Sequence, residues 1–428
     1  MAWWSDCKSI FPRPSDCCPI CRSWYGVDRC ASLVYPISQV PLTAAIVKAM
    51  GRLFHAIVLR IVQLGSLLAV GLTAHTFVNS KLLKQASSPG LVFEKVSILL
   101  PVLNEASRVA PTLQSILSQQ NLQNLEFIIR DDGSDDGTVA LIQHMTKHST
   151  FEVKLIEKDI DTPDGWISKS WSCQKMAEES SGSVLVFIDA DVTFAPDAIS
   201  RAVRTLRELN LSLISPYPKQ VALTWSERLV QPLLQWSWLT FLPLGIAKKS
   251  SNPALAAANG QFLVVDREMY FQSGGHAATP ADVFDDIALL RAIKTAGGKG
   301  VVIDGTDMAS TRMYRNSLEL TNGYAKSLWS AFGGRTKSRV LMGALSLIYI
   351  VPAVAALTKT TAPIRRAGAV GYLAGILGRV ITANRTGAKS MPDAISHPIS
   401  IASLAILNEY SWIQRVRGKL RWRGRKIP

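Results

Sequence analysis

Charge is scarce in this chain. Only 18% of its 428 residues are Asp, Glu, Lys or Arg, against 48% hydrophobic. That balance is too apolar for an ordinary soluble enzyme and too polar for a multi-span transporter. A soluble domain carrying a few membrane segments meets both figures, and the length allows one large domain or two ordinary ones. Cysteine is almost missing after residue 30, where Cys173 stands alone and reads as structural. The other five, Cys7, Cys17, Cys18, Cys21 and Cys30, crowd the first thirty positions. No spacing among them reads as a disulfide framework, which agrees with a reducing compartment. Cys18-Pro-Ile-Cys21 has the short spacing of a zinc knuckle, but no second pair and no nearby His accompany it. Residues 1–41 read as a disordered leader or as an extension from an upstream start codon. The first apolar run lies too far along the chain, and lacks a clear small-residue cleavage site, for an ordinary signal peptide.

Acidic residues are also in short supply, 32 against 47 Lys and Arg, for a formal net charge of +15. Nucleic acid, an anionic membrane surface or an anionic substrate such as a nucleotide diphosphate each fit that excess. The basic residues are not interleaved with aromatics along a stacking platform, which argues against nucleic acid. Their densest cluster is the tail 415–428, which contains Trp422 and follows an apolar stretch. It reads as an anchor on anionic lipid heads or as a solvated tail.

Residues 56–78 are mostly Ile, Val, Leu, Ala and Gly around Arg60, long enough to span a bilayer. Short apolar runs then alternate with helical stretches, and five candidate strands emerge: Val96–Leu100, Leu125–Arg130, Phe151–Ile156, Val184–Ile188 and Leu211–Ser215. This alternation predicts an α/β domain with a mostly parallel sheet over 93–331, whose ligands bind at the carboxyl ends of the strands. The Trp-rich stretch 229–247 reads as an interfacial helix or a buried core helix. After Ser338 the chain turns membrane-like again. Val340–Leu357 makes a good span, Ala367–Ile381 a weaker one broken by Arg379, and Ile399–Leu407 is too short to cross alone. Residues 338–414 are therefore expected to be membrane helices, and the basic tail would lie in the cytoplasm.

The polar residues sit where strands end. The first strand runs into Pro101-Val-Leu-Asn104-Glu105 and the second into Asp131-Asp132-Gly133-Ser134-Asp135-Asp136. Such carboxylates can accept hydrogen bonds from a uracil-type N–H and ribose hydroxyls, or can simply form a turn with a helix cap. The fourth strand, fully apolar, ends in Asp189-Ala-Asp191, a pair of acidic groups suited to Mg²⁺ or Mn²⁺ bridging to phosphates. Asp285-Asp286 opens a helical pattern, either as a cap that complements the dipole or as a base. Gly165-Trp166-Ile-Ser168-Lys169 offers a cation and an aromatic surface.

Taken in order, these motifs resemble the family 2 glycosyltransferases with the GT-A fold. The matching stretches are Pro-x-x-Asn-Glu at 101–105, Asp-Asp-Gly-Ser-x-Asp at 131–136, Asp-x-Asp at 189–191, Asn259-Gly260-Gln261-Phe262 and the acidic pair before Ile287. The membrane-associated subgroup around hopanoid and carotenoid biosynthesis is similar in Gly-Trp-x-x-Lys, in Arg312-Met313-Tyr314-Arg315 and in the ending His397-Pro398 … Trp422-x-Gly424-Arg425. The resemblance implies metal-dependent, inverting transfer of a single sugar from a nucleotide-sugar, UDP-linked, to a lipid or isoprenoid acceptor. It implies an integral membrane protein with a cytoplasmic catalytic domain. Asp132 would contact the base; Pro101, Asn104, Glu105, Asp135, Lys169, Asp189, Arg312 and Arg315 would contribute to nucleotide-sugar binding. Asp191 with Asp189 would hold the metal, and Asp286, or Asp285 beside it, would be the general base. Two departures stand out. The family's usual Glu-Asp is Asp-Asp here, and the Gln-x-x-Arg-Trp of processive relatives is absent, which favours single-sugar transfer over a polysaccharide synthase. In addition, Ser168 replaces a usual Gly. A catalytically silent nucleotide-sugar-binding protein is the remaining alternative.

Overall fold

The computed structural model describes residues 40–422 and 425–426, and side-chain surroundings for 45–420. The cysteine-rich leader, with its Cys18–Cys21 spacing, and the side chains of the last eight residues lie outside the described residues. The chain divides into two compact units, Met1–Leu59 and Arg60–Pro428. Helix α1 runs Val40–Leu82. In the first unit its Ile46, Val47, Met50, Leu53, Phe54 and Ile57 are exposed.

The second unit is built on one eight-stranded sheet in the order β3-β2-β1-β4-β7-β6-β8-β5. The strands are β1 (Val92–Val102), β2 (Leu122–Asp131), β3 (Glu152–Ile156), β4 (Val184–Ile188), β5 (Val192–Phe194), β6 (Leu213–Gln220), β7 (Phe262–Asp266) and β8 (Gly300–Thr311). β3, β2, β1 and β4 run parallel, as do β6 and β8; β7 is antiparallel to β4 and β6, and β5 to β8. The sheet is thus mixed and mostly parallel, as the alternation predicted.

Between the parallel strands lie α2 (Val109–Leu117), α3 (Thr138–Thr146) and α4 (Ser168–Glu179); α5 (Ala198–Glu208) precedes β6. Helices on both faces bury the central strands completely, so β1 and β4 read as near-continuous apolar runs. The period of two divides them. Ile98, Leu100, Val184 and Val186 pack with Ile116, Phe127 and Val203 on one face. Leu99, Leu185 and Phe187 pack with Met176, Tyr270 and Leu289 on the other.

β6 starts two residues later than expected and continues through Pro216 and Pro218. Its ladder to β7 ends at Ile214, which leaves one edge where missing N–H groups cost nothing. The expected helix at 229–247 is three short ones: α6 (Trp225–Val230), α7 (Pro232–Phe241) and α8 (Leu244–Ala247). Pro232 and Pro243 mark the breaks. Leu233 and Trp236 are buried beside Ala69 of α1 and the C-terminal helices, while Phe241 and Ile246 are exposed.

After β7 come α9 (Arg267–Gln272) and α10 (Asp285–Thr295), and after β8 comes α11 (Ser317–Ala331). The C-terminal layer comprises α12 (Arg335–Leu345), a π turn at Ser346–Ile350, α13 (Val351–Leu357), α14 (Ala362–Arg385) and α15 (His397–Val416). Two helices, Ala45–Leu82 and Arg335–Leu357, are long and apolar enough to cross a membrane; they contain the expected spans 56–78 and 340–357. The weaker candidate 367–381 falls in α14, where Arg379 is buried, and the short run 399–407 falls in α15.

Gly368, Gly371 and Gly378 let α14 approach α1 and α13 closely, and Gly375 lies against Tyr349 of the π turn and His397 of α15. A methyl at Gly371 would lie 2.5 Å from Ser66 Oγ and 2.8 Å from Pro352 Cβ. Ser66 Oγ and Thr73 Oγ1 of α1 donate to the carbonyls of Ala367 and Ala374, each at 2.8 Å. Arg385 then pairs with Asp304 of β8 at 2.8 Å, and Asn79 Nδ2 donates to the carbonyl of Leu239 at 2.8 Å.

Candidate active site

The loops after β1 and β2 clasp each other. Asn104 takes a left-handed φ of 53°, a conformation Asn tolerates better than most residues. Its N–H donates to Ser134 Oγ at 2.8 Å, and its Oδ1 accepts from the Asp135 N–H at 2.9 Å. The Glu105 N–H donates to Thr138 Oγ1 at 2.9 Å. Asp131 accepts from the N–H groups of Gly133 and Ser134, each at 2.9 Å, so it caps the turn. Asp132 is instead buried, lines the cavity and accepts a hydrogen bond from Ser168 Oγ at the start of α4. The Ser that replaces the usual Gly is therefore the link between the second motif and Gly165-Trp166.

Four carboxylates gather around one ammonium at the strand ends. Lys169 Nζ lies 2.8 Å from Asp189 Oδ1, just past β4, and 3.3 Å from Asp285 Oδ2 at the start of α10. Burial works against the charge on Lys169, but Asp189 and Asp285 outweigh it and hold the ammonium well above the usual lysine value. Burial likewise opposes the Asp285 charge, and Lys169, then His276, keep that carboxyl below its ordinary value. Asp286 is left out of the pairing. Its Oδ2 accepts from the Gly260 N–H and its Oδ1 from the Ile287 N–H, both at 2.7 Å. Burial and the Asp285 charge push the Asp286 carboxyl up to about 7. At the other pair, burial and Asp189 push Asp191 up to about 6. Both effects follow from placing like charges together away from water.

Gly260 sits in the middle of this cluster. A methyl there would meet Lys169 Nζ at 3.2 Å and Asp286 Cβ at 3.5 Å. The Asn259–Gln261 loop is pinned by Asn259 N–H to Ser215 Oγ at 2.8 Å and by Gln220 Nε2 to Gln261 Oε1 at 2.8 Å.

These groups open on a cavity of about 1190 Å³. Pro101, Glu105, Asp132, Lys169, Asp189, Asp191, Asp285 and Asp286 all line it. Trp166, edge-on to Trp171 with ring centroids 5.1 Å apart, lines it too. Part of the wall is apolar, with Leu234, Trp238, Phe241 and Leu242 of the α7 region. Asn104 and Asp135 are not among the lining residues; they build the loops that position Asp132 and Glu105. Arg312 and Arg315 also lie outside the lining. Arg312 Nη2 pairs with the buried Glu227 Oε1 of α6 at 3.2 Å, and the Arg315 N–H donates to Glu319 Oε2 at 3.1 Å. Between them Met313 and Tyr314 face the cavity. Sequence reasoning missed Tyr314 as an individual side chain, and it missed Arg108, which lines the cavity and pairs with Glu319 at 3.0 Å. The signal for Arg108 was its place at the start of the helix after Pro-x-x-Asn-Glu.

Among the described residues no group of three or more His, Cys, Asp or Glu converges as a metal cage. A metal that shares its coordination with substrate phosphates and water needs only one or two carboxylates. Asp191 and Asp189 fit that requirement: both line the cavity, and burial with the Asp189 charge pushes Asp191 up to about 6, so a cation beside the pair would offset the cost of its charge.

Residues 97–268 match the family model described as "Glycosyl transferase family 2". The chain is 23% identical over 341 residues to the 4,4'-diaponeurosporenoate glycosyltransferase of Staphylococcus aureus (strain USA300), a match covering 77% of this chain and 88% of that relative. Among solved structures, a mannosyltransferase from Pyrobaculum calidifontis in complex with GDP-Man and Mn2+ aligns with a TM-score of 0.50 at 15% identity. That match covers 84% of this chain and 99% of the mannosyltransferase.

Proposed function

We propose, from the premise that this chain is a glycosyltransferase with a family 2 domain on a GT-A fold, that it transfers one sugar from a nucleoside-diphosphate donor to a lipid-soluble acceptor, with inversion at the anomeric carbon. One observation carries the reading. A single cavity joins four carboxylates around Lys169 to the apolar wall formed by α7, which packs on its other face against the candidate membrane helices. A polar donor and an apolar acceptor would meet in that cavity.

Asp132, buried at the end of β2, would receive the nucleotide base, and a uracil N–H suits its acceptor oxygens. Lys169 fixes Asp189 and Asp285 in place. Asp286 would take the proton of the acceptor hydroxyl as that oxygen bonds to the anomeric carbon and the bond to the diphosphate breaks on the opposite side. A base with a pKa near 7 is matched to that task, and the two N–H groups on Asp286 hold its carboxyl in position. Asp285, engaged by Lys169, is the weaker candidate. A divalent ion, Mg²⁺ or Mn²⁺, held by Asp191 and Asp189 would supply positive charge to the leaving diphosphate. The Staphylococcus aureus relative is named for diaponeurosporenoate, and an isoprenoid acceptor agrees with the apolar wall here. The helices Ala45–Leu82 and Arg335–Leu357 would anchor the enzyme, with the catalytic domain on the cytoplasmic side.

The test is transfer in purified membranes with UDP-glucose, other UDP-sugars and GDP-mannose, with and without Mn²⁺ or Mg²⁺. Lipids are then extracted and weighed by mass spectrometry. The expected product is a lipid heavier by one hexose, formed only with metal. A polymeric product would replace this reading with a processive synthase, and nucleotide binding without turnover on any donor would replace it with a binding protein.

A further inference from the structure

We propose that Arg108 is the side chain that grips the donor's diphosphate, and that Glu319 holds it ready in the free protein. This rests on the nucleotide-sugar reading above. A cleft rimmed by Asp132, Asp189, Asp191, Asp285 and Asp286 needs cationic charge before it can admit two phosphates. Lys169 is committed, with carboxylate oxygens at 2.8 and 3.3 Å. Arg312, expected to contribute to nucleotide-sugar binding, is turned to Glu227 outside the cavity. The other cationic side chains on the wall are Arg108 and Lys326, and the charge of Lys326 acts on Asp285 at the base side of the site.

Arg108, at the start of α2, instead has its charge act on Asp191. Its Nη2 lies 3.0 Å from Glu319 Oε2 and its Nη1 3.5 Å from the Met313 carbonyl. Neither partner of this ion pair is deeply buried, and such pairs are weak in water. A diphosphate offers the guanidinium a bidentate, doubly charged acceptor, which is the better partner. Glu319 would not be stranded by the exchange. It keeps the Arg315 N–H at 3.1 Å and Asn316 Nδ2 at 3.2 Å, so the start of α11 stays capped.

The experiment compares binding of UDP and of uridine to the purified full chain in detergent, by titration calorimetry with Mg²⁺ present. R108A is expected to weaken UDP about 30-fold and leave uridine unchanged. R108K should recover part of the loss, since it restores the charge but not the fork. E319Q should bind UDP about threefold tighter, because the competing carboxylate is gone. Equal loss of UDP and uridine in R108A, or unaltered UDP binding, overturns the role of Arg108 and leaves the donor reading standing. A wild-type chain that binds neither UDP nor GDP overturns both.

Discussion

The acidic pair at the end of β4 and the pair at the start of α10 share one lysine, which reaches Asp189 from the first and Asp285 from the second. In each pair burial and the charge of the engaged member act on its neighbour, and Lys169 offsets them only in part. Asp191 and Asp286 are left with raised proton affinity, to about 6 and about 7. What separates them is their surroundings. Asp286 is held by two backbone N–H groups, a fixed cradle from which one proton can be taken up and released. Asp191 faces Arg108 and the open cavity, where a cation and phosphate oxygens would complete its surroundings. Under the proposed function, the same electrostatic device would serve a proton at one end and a metal at the other, with the local donors deciding which.

The largest test of that division is Asp286→Asn, expected to lower kcat by about 10³-fold while UDP affinity stays within about twofold. An equal loss in Asp285→Asn, with Asp286→Asn active, would reverse the two roles. Next, Asp191→Ala should cost about 10²-fold in transfer and abolish the response to added Mn²⁺, with the circular-dichroism spectrum intact. Full metal-dependent activity in this variant would falsify the metal assignment. Lys169→Met strikes both pairs at once. It leaves two partly buried carboxylates without their cation, so thermal unfolding should show a loss of about 3 kcal/mol.

The pH profile sharpens the comparison further. Asp286 must be ionised to accept a proton, and its pKa is raised, so kcat/KM should be full above about 7 and fall with unit slope below it. A flat profile down to pH 5 speaks against Asp286 as the base. In any Lys169→Met protein that still turns over, the acid limb should move to higher pH, because a positive charge favouring the Asp286 anion is gone. The smallest effect is expected from Gly260→Ala. Its methyl would crowd Lys169 Nζ at 3.2 Å, while only touching Asp286 Cβ at 3.5 Å, and cost about tenfold in kcat/KM.

Much of this was legible in the sequence where local pattern decides. β4 occupies the residues its apolar run marked, because both its faces are buried and its ends are polar. The cavity gathers the carboxylates and Lys169 because strand ends and helix starts of an α/β sheet converge there. Long-range pairing was not legible. β8 was missed because Gly300, Asp304, Gly305 and Thr306 break its apolar pattern; the charge of buried Asp304 is met by Arg385, far along the chain. Arg312 lies outside the cavity lining for a similar reason. Its partner Glu227 lies on a separate helix, and nothing near either residue in sequence announces the pair. Arg108 looks like any surface arginine until α11 folds over it.

The glycine face of α14 has a consequence for handling the protein. Contact between bare backbones there, reinforced by the hydroxyls of Ser66 and Thr73, depends on dispersion and hydrogen bonding more than on expelling water. Such a joint is nearly indifferent to whether acyl chains or detergent tails surround it. If the proposed membrane anchoring holds, the Arg60–Leu82 part of α1 should therefore remain seated on the catalytic domain through solubilisation, and the enzyme in detergent micelles should keep its cleft as it is in a lipid bilayer.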